Sequence, residues 1–146
     1  MGSVISFKNQ GKRSGVLIVD DLLIMRLILS SILKDAGIPI VGQATNGREA
    51  LDLYVQLNPA VVLLDLLMPE MDGFTTLERL LKIDPKAKVV VCSTLQQKFY
   101  ITKALKCGAT DFLTKPYRPD LVRNLLRKLL AEQQVVHQYP RYLMID

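Results

Sequence analysis

Five short apolar runs, each followed by a longer amphipathic stretch, constrain this chain more than any other feature of it. The runs lie at 16–19, 38–44, 61–64, 88–92 and 112–114 and are rich in Val, Ile and Leu, with little polar alternation. Strands buried on both faces of a parallel sheet read this way, whereas a half-solvated sheet alternates. The stretches between them, at 22–36, 47–58, 74–83, 95–107 and 119–133, carry the helical period. Strand and helix alternating five times predict an α/β fold, a parallel sheet with helices on both faces. The right-handed crossover rule limits the topologies it can take.

Local signals punctuate the pattern. The first helix has a polar stripe, Arg26, Ser30 and Lys34, on an otherwise apolar surface, and Gly37 is placed to stop it. Asn58-Pro59 and Asp84-Pro85 end the second and third helices, because a residue before proline disfavours α geometry. Pro119 suits the first turn of the last helix. There Leu121, Val122, Leu125, Leu126 and Leu129 are expected on the core side, opposite Asp120, Arg123, Asn124, Arg127 and Lys128. Residues 1–14 read as a loose arm, 15–131 as the domain, and 132–146 as a tail or linker stub in which His137 is solvated.

With 146 residues the chain fits one domain on a prior of ~150 residues each. Its net charge of +5 is spread along the sequence. Cys92 and Cys107 form no CxxC or His/Cys cluster, which argues against a disulfide framework or zinc site and suits a reducing cytoplasm. Both are expected as small core residues. No stretch approaches the ~20 apolar residues of a membrane span, and no signal peptide is indicated at the start.

In an open α/β sheet, ligands bind beyond the carboxyl ends of the strands. The first run ends in Asp20-Asp21, the third in Asp65, the fourth in Ser93-Thr94 and the fifth in Lys115-Pro116. Three carboxylates, a hydroxyl and an ammonium therefore converge on one rim. Adjacent carboxylates repel unless some are protonated or a cation lies among them. A hard divalent ion resolves the conflict, and Mg²⁺ is the usual choice where phosphate oxygens complete the shell. A carboxylate, a metal and a lysine make a site suited to the charge of a transferring phosphoryl group.

These residues fall in four ordered segments: 16–21 (VLIVDD), 65–73 (DLLMPEMDG), 90–93 (VVCS) and 108–116 (GATDFLTKP). Together they resemble the receiver domain of response regulators in two-component signalling, most closely the single-domain chemotaxis type, over about 15–130. The resemblance implies a flavodoxin-like (βα)5 doubly wound sheet of order 2-1-3-4-5. It makes Asp65 the phosphoacceptor, Asp21 a direct Mg²⁺ ligand, Asp20 a ligand mostly through water, and the Leu67 backbone carbonyl a third protein ligand. It makes Lys115 a contact to the phosphoryl oxygens that pairs with Asp65 before transfer. Ser93 matches the switch hydroxyl and Phe112 the aromatic that moves with it. Lys115-Pro116 matches a cis peptide, and Gly73 and Gly108 match turn-forming glycines.

The partners so implied are a sensor histidine kinase or phosphotransfer protein, and an output protein on the face of the fourth helix, fifth strand and fifth helix. A dimer formed on phosphorylation is compatible with it. No DNA-binding module follows the domain, so the basic residues near the last helix suggest an acidic protein patch over nucleic acid. The domain would be a signalling phosphoacceptor and no enzyme in its own right.

Two departures from the family pattern stand out. Leu22-Leu23-Ile24 follows the acid pair where a polar cap is commoner, and all three cannot pack inward on one helical turn. At least one is expected to add apolar surface for a kinase or phosphotransfer domain. Leu67 and Leu95 flank the expected phosphoryl position, and neither can orient an attacking water.

Among competing readings, a haloacid-dehalogenase-type phosphatase needs a second Asp two residues after its nucleophile, and Leu67 stands there. A nucleotide or flavin domain needs a glycine- or hydroxyl-rich phosphate loop after the first strand, where the acid pair stands. A structural pseudo-receiver would lack one of the acids or the lysine. A receiver module of a larger methylesterase, hybrid kinase or transcription factor remains an alternative to a standalone protein.

Overall fold

A computed structural model describes residues 12–68 and 71–138, with the backbone alone over 133–138. Most of the expected arm, the tail beyond 138, Pro69, Glu70 and the His137 side chain lie outside the described residues. Strands β1 (Val16–Val19), β2 (Ile40–Ala44), β3 (Val61–Asp65), β4 (Val89–Thr94) and β5 (Asp111–Lys115) form one sheet of order β2-β1-β3-β4-β5. Every neighbouring pair is parallel. Helices α1 (Leu23–Asp35), α2 (Gly47–Leu57), α3 (Gly73–Ile83), α4 (Lys98–Lys106) and α5 (Pro119–Gln138) make the crossovers.

Side chains alternate across a strand, so each strand feeds two cores. Leu17, Val19, Val62, Leu64, Val89 and Val91 pack with Tyr54, Leu77, Leu80 and Ile101 of α2, α3 and α4. Val16, Ile18, Val61, Leu63, Val90 and Cys92 pack with Leu29, Leu33, Val122 and Leu126 of α1 and α5. Burial of a leucine to this degree contributes on the order of 2 kcal/mol. That both faces are covered explains the unbroken apolar runs.

The helix ends follow their local signals. Asn58 caps α2 in the left-handed region at φ 49°, and Asp84 caps α3 in extended conformation, each just before its proline. Gly37 follows α1 at φ +72°, which lets the Ile38 N–H reach the Leu33 carbonyl at 2.9 Å.

Several expectations need correction. The segment after β4 opens as a 3₁₀ turn, Leu95–Gln97, and α4 begins only at Lys98. Helix α5 runs to Gln138, beyond the expected end near 133, because Glu132, Gln133 and Gln134 are good helix formers and the next breaker is Pro140. Leu121 is 46% exposed, since Val122, Leu126 and Leu129 already take the inward arc of α5. Cys107 is exposed as the cap of α4, so only Cys92 is a core thiol.

Helix α1 departs most. Ser30 is buried, and the Arg26 guanidinium turns to Gln43 Oε1 at 3.2 Å and the Asp20 carbonyl at 2.8 Å. The stripe of Arg26 and Ser30 thus lies against the sheet edge. Leu22, Leu23, Ile24 and Leu27, each over half exposed, face solvent instead, with Ile28 beside them. Among the described residues no helix is long and apolar enough to cross a membrane.

Candidate functional site

The rim at the carboxyl ends of β1, β3, β4 and β5 is built by register. Val19 pairs with Leu64, which sets Asp20 beside Asp65. Asp65 pairs with Cys92, which puts Ser93 one step further out, and Thr94 pairs with Lys115. Asp20 is buried, and its Oδ1 accepts the Leu22 N–H at 3.0 Å. That bond, with the Arg26 hold on the Asp20 carbonyl, stands in for the missing side-chain cap at the start of α1.

Asp20, Asp21 and Asp65 each bring a carboxylate oxygen to within 4.8 Å of the others. An all-oxygen anionic donor set at this spacing fits a hard divalent cation such as Mg²⁺. Lys115 reaches the same cluster, its Nζ 2.9 Å from Asp20 Oδ2 and 3.3 Å from Asp65 Oδ1. The ammonium therefore bridges two carboxylates and does not pair with Asp65 alone. The Lys115–Pro116 peptide is cis, as expected.

Electrostatics follow from burial. Desolvation pushes the Asp65 carboxyl up to about 6; Lys115 pulls it down, Asp20 adds to the rise, and the Leu67 N–H, 3.4 Å from Oδ1, opposes it. Burial works against the charge on Lys115, yet Asp20 and Asp65 outweigh it and hold the ammonium above its ordinary value. A carboxyl so poised gains from any further positive charge nearby.

Gly73 opens α3 directly against this loop. A Cβ there would stand 2.4 Å from the Leu66 Cα and 2.5 Å from the Asp65 carbonyl oxygen. Only glycine lets the helix start this close behind the acid.

Ser93 is buried, and its hydroxyl donates to Gln97 Oε1. The same oxygen accepts the Thr94 N–H at 3.1 Å. Phe112 lies on β5 opposite Val91, 39% exposed. Leu67 follows Asp65 by two residues with its side chain 47% exposed, and Leu95 is 70% exposed. The structure thus gathers Asp20, Asp21, Asp65 and Lys115 into one cluster, sets Ser93 on its border, and leaves Phe112 towards the outer face. Gln97 was missed from sequence, although Thr94-x-x-Gln97 is the reach-back pattern of a capping box.

Comparison with known proteins agrees with this geometry. The response regulator receiver domain family matches residues 16–134, and the chain belongs to that family. It is 46% identical over 119 residues to the chemotaxis protein CheY of Thermotoga maritima, which covers 82% of this chain and 98% of that one. It is also 44% identical over 102 residues to a protein-glutamate methylesterase/protein-glutamine glutaminase of Archaeoglobus fulgidus, 69% of this chain but 29% of that protein. A chain in the crystal structure of the CheX–CheY–BeF3–Mg complex from Borrelia burgdorferi superposes with a TM-score of 0.73 at 32% identity, over 79% of this chain and 87% of that one. The fold and the family are those the sequence implied, and the resemblance is to single-domain chemotaxis receivers.

Proposed function

We propose that Asp65 accepts a phosphoryl group from a phosphohistidine on a partner kinase or phosphotransfer protein, and that the chain passes this signal on through a changed surface. One observation carries the reading. Three carboxylates share a space of 4.8 Å while a single ammonium spans two of them. Such a cluster is poor at holding its own charge and well suited to sharing it with a cation and a phosphoryl group.

Asp20, Asp21 and Asp65 would hold Mg²⁺, with the Leu67 carbonyl as a further ligand. When bound, the ion supplies charge neutralisation for phosphoryl oxygens. Asp65 Oδ attacks phosphorus, the phosphohistidine nitrogen leaves, and an acyl phosphate remains. Lys115 turns from bridging carboxylates to contacting a phosphoryl oxygen, which lowers the charge felt by the attacking carboxylate. Ser93 donates its hydroxyl to the new group, and Phe112 follows into the space this opens. The face of α4, β5 and α5 then carries the changed surface to an output protein.

Incubation with acetyl phosphate and Mg²⁺ tests this by intact mass. Wild type is expected to gain one phosphoryl group and Asp65→Asn none. Equal labelling of both, or of neither, would remove Asp65 from the role.

A further inference from the structure

We propose that the side-chain carbonyl of Gln97 stands in for a phosphoryl oxygen, holding the Ser93 hydroxyl and the Thr94 N–H until an arriving phosphoryl group takes them over. The inference rests on Asp65 being the phosphoacceptor and adds a residue that sets how readily it is used.

One oxygen, Gln97 Oε1, accepts both donors. The amide orientation is not arbitrary, because the Thr94 N–H can only face an acceptor, so the oxygen and not the NH₂ points inward. Ser93 is 2% exposed, out of reach of bulk water, and a buried hydroxyl needs a partner. Gln97 meets that need from the turn Leu95–Gln97, four residues along.

The placement matters for what the two donors face. They sit at the end of β4, next to β3, where Cys92 lies opposite Asp65, and Thr94 lies opposite Lys115 on β5. Hydroxyl and amide N–H thus stand at the end of the strand beside Asp65, with the ammonium on the next strand 3.3 Å from its Oδ1. An anion bonded to Asp65 offers oxygens to all three, but two are already committed to Gln97. Charged acceptors outcompete neutral ones, so the phosphoryl group wins, at the expense of the bonds it displaces. Release of Gln97 also frees the turn that leads into α4. Leu95 in that turn and Phe99 just beyond it are 70% and 73% exposed. Gln97 is therefore a positioning residue: it touches the donors and not the reacting atoms.

Beryllofluoride with Mg²⁺, a stable mimic of the phosphoryl group, provides the test on full-length protein. Gln97→Ala removes the competing acceptor, and Gln97→Met does so while keeping side-chain length and apolar packing. Both are expected to bind beryllofluoride roughly five-fold more tightly than wild type, the worth of about one hydrogen bond. In the same variants without beryllofluoride, the Thr94 amide proton is expected to exchange faster and shift upfield. A turn merely damaged by substitution would weaken binding, so the sign separates the two. If wild type binds and both variants bind equally or less well, or if the Thr94 amide is unmoved, the Gln97 role is overturned. If wild type itself binds no beryllofluoride, the phosphoacceptor reading falls and this one with it.

Discussion

At Asp65 burial and Lys115 pull in opposite directions, and the carboxyl settles near 6. Two residues close to it in sequence or in the adjoining turn cannot handle water. Leu67, two residues after Asp65, and Leu95, which opens the turn after β4, are both exposed and both apolar. Hydrolysis of an acyl phosphate needs a water held in line with phosphorus, and a positioned hydrogen-bonding group supplies much of that advantage. The expected outcome is a long-lived acyl phosphate. Leu67→Asn combined with Leu95→Glu should shorten its lifetime by roughly ten-fold, followed as loss of label after removal of the phosphodonor. An unaltered lifetime would mean that water is oriented by something else.

At the scale of elements, α1 is the anomaly. Its guanidinium and buried hydroxyl face Gln43 of β2, and Leu23, Ile24 and Leu27 face outward. Clustered exposed leucines on a small domain are suited to contact with a partner protein. Because this helix starts at the acid pair, a kinase or phosphotransfer domain seated on it would hold its phosphohistidine near Asp65. Leu23→Ser with Leu27→Ser is expected to slow phosphotransfer from such a partner about ten-fold, the loss of roughly two buried methylene-rich contacts being more than enough. Labelling by acetyl phosphate, which needs no docking, should stay as it is. Equal slowing of both reactions would argue for a damaged fold and not a lost contact.

The same helix shows what was legible in the sequence. Periodicity places apolar residues around an axis but does not say how much of that arc the domain covers. The apolar arc of α1 is wider than one core can use, so Leu29 and Leu33 went in and Leu23 and Leu27 stayed out. Leu121 on α5 stays out for the same reason, whereas Cys107 is exposed because it caps α4. The strands were far clearer, because burial on both faces leaves a run without alternation, and β1 fell at the expected residues. The acids and Lys115 were legible as strand-end residues. The bond from Ser93 to Gln97 was not, since a side-chain amide four residues away gives no periodic signal.

Seen whole, the molecule has a second polar centre at the opposite end of the sheet. Arg13 Nη1 lies 2.6 Å from Asp84 Oδ2, which also accepts the Tyr54 hydroxyl at 2.7 Å, tying the approach to β1 to α2 and to the end of α3. Burial alone would raise the Asp84 carboxyl, but the bonds from Arg13, Tyr54 and the Lys86 N–H outweigh it and hold it below its ordinary value. Asp84 is thus a stronger acid folded than unfolded. Its contribution is complete above the ordinary carboxylate range and fades as pH falls through the lowered folded value. Arg13→Ala should cost roughly 3 kcal/mol in urea unfolding at neutral pH. The deficit should narrow as pH falls below the ordinary carboxylate range, because wild type then loses the same interaction. A deficit independent of pH would point to packing and not to the ion pair. The two thiols differ sharply. Burial raises Cys92 to about 12, while Cys107 stands in solvent at the end of α4. A maleimide dye would therefore attach at one position without engineering, giving a fluorescent reporter on the helix through which the signal is proposed to leave.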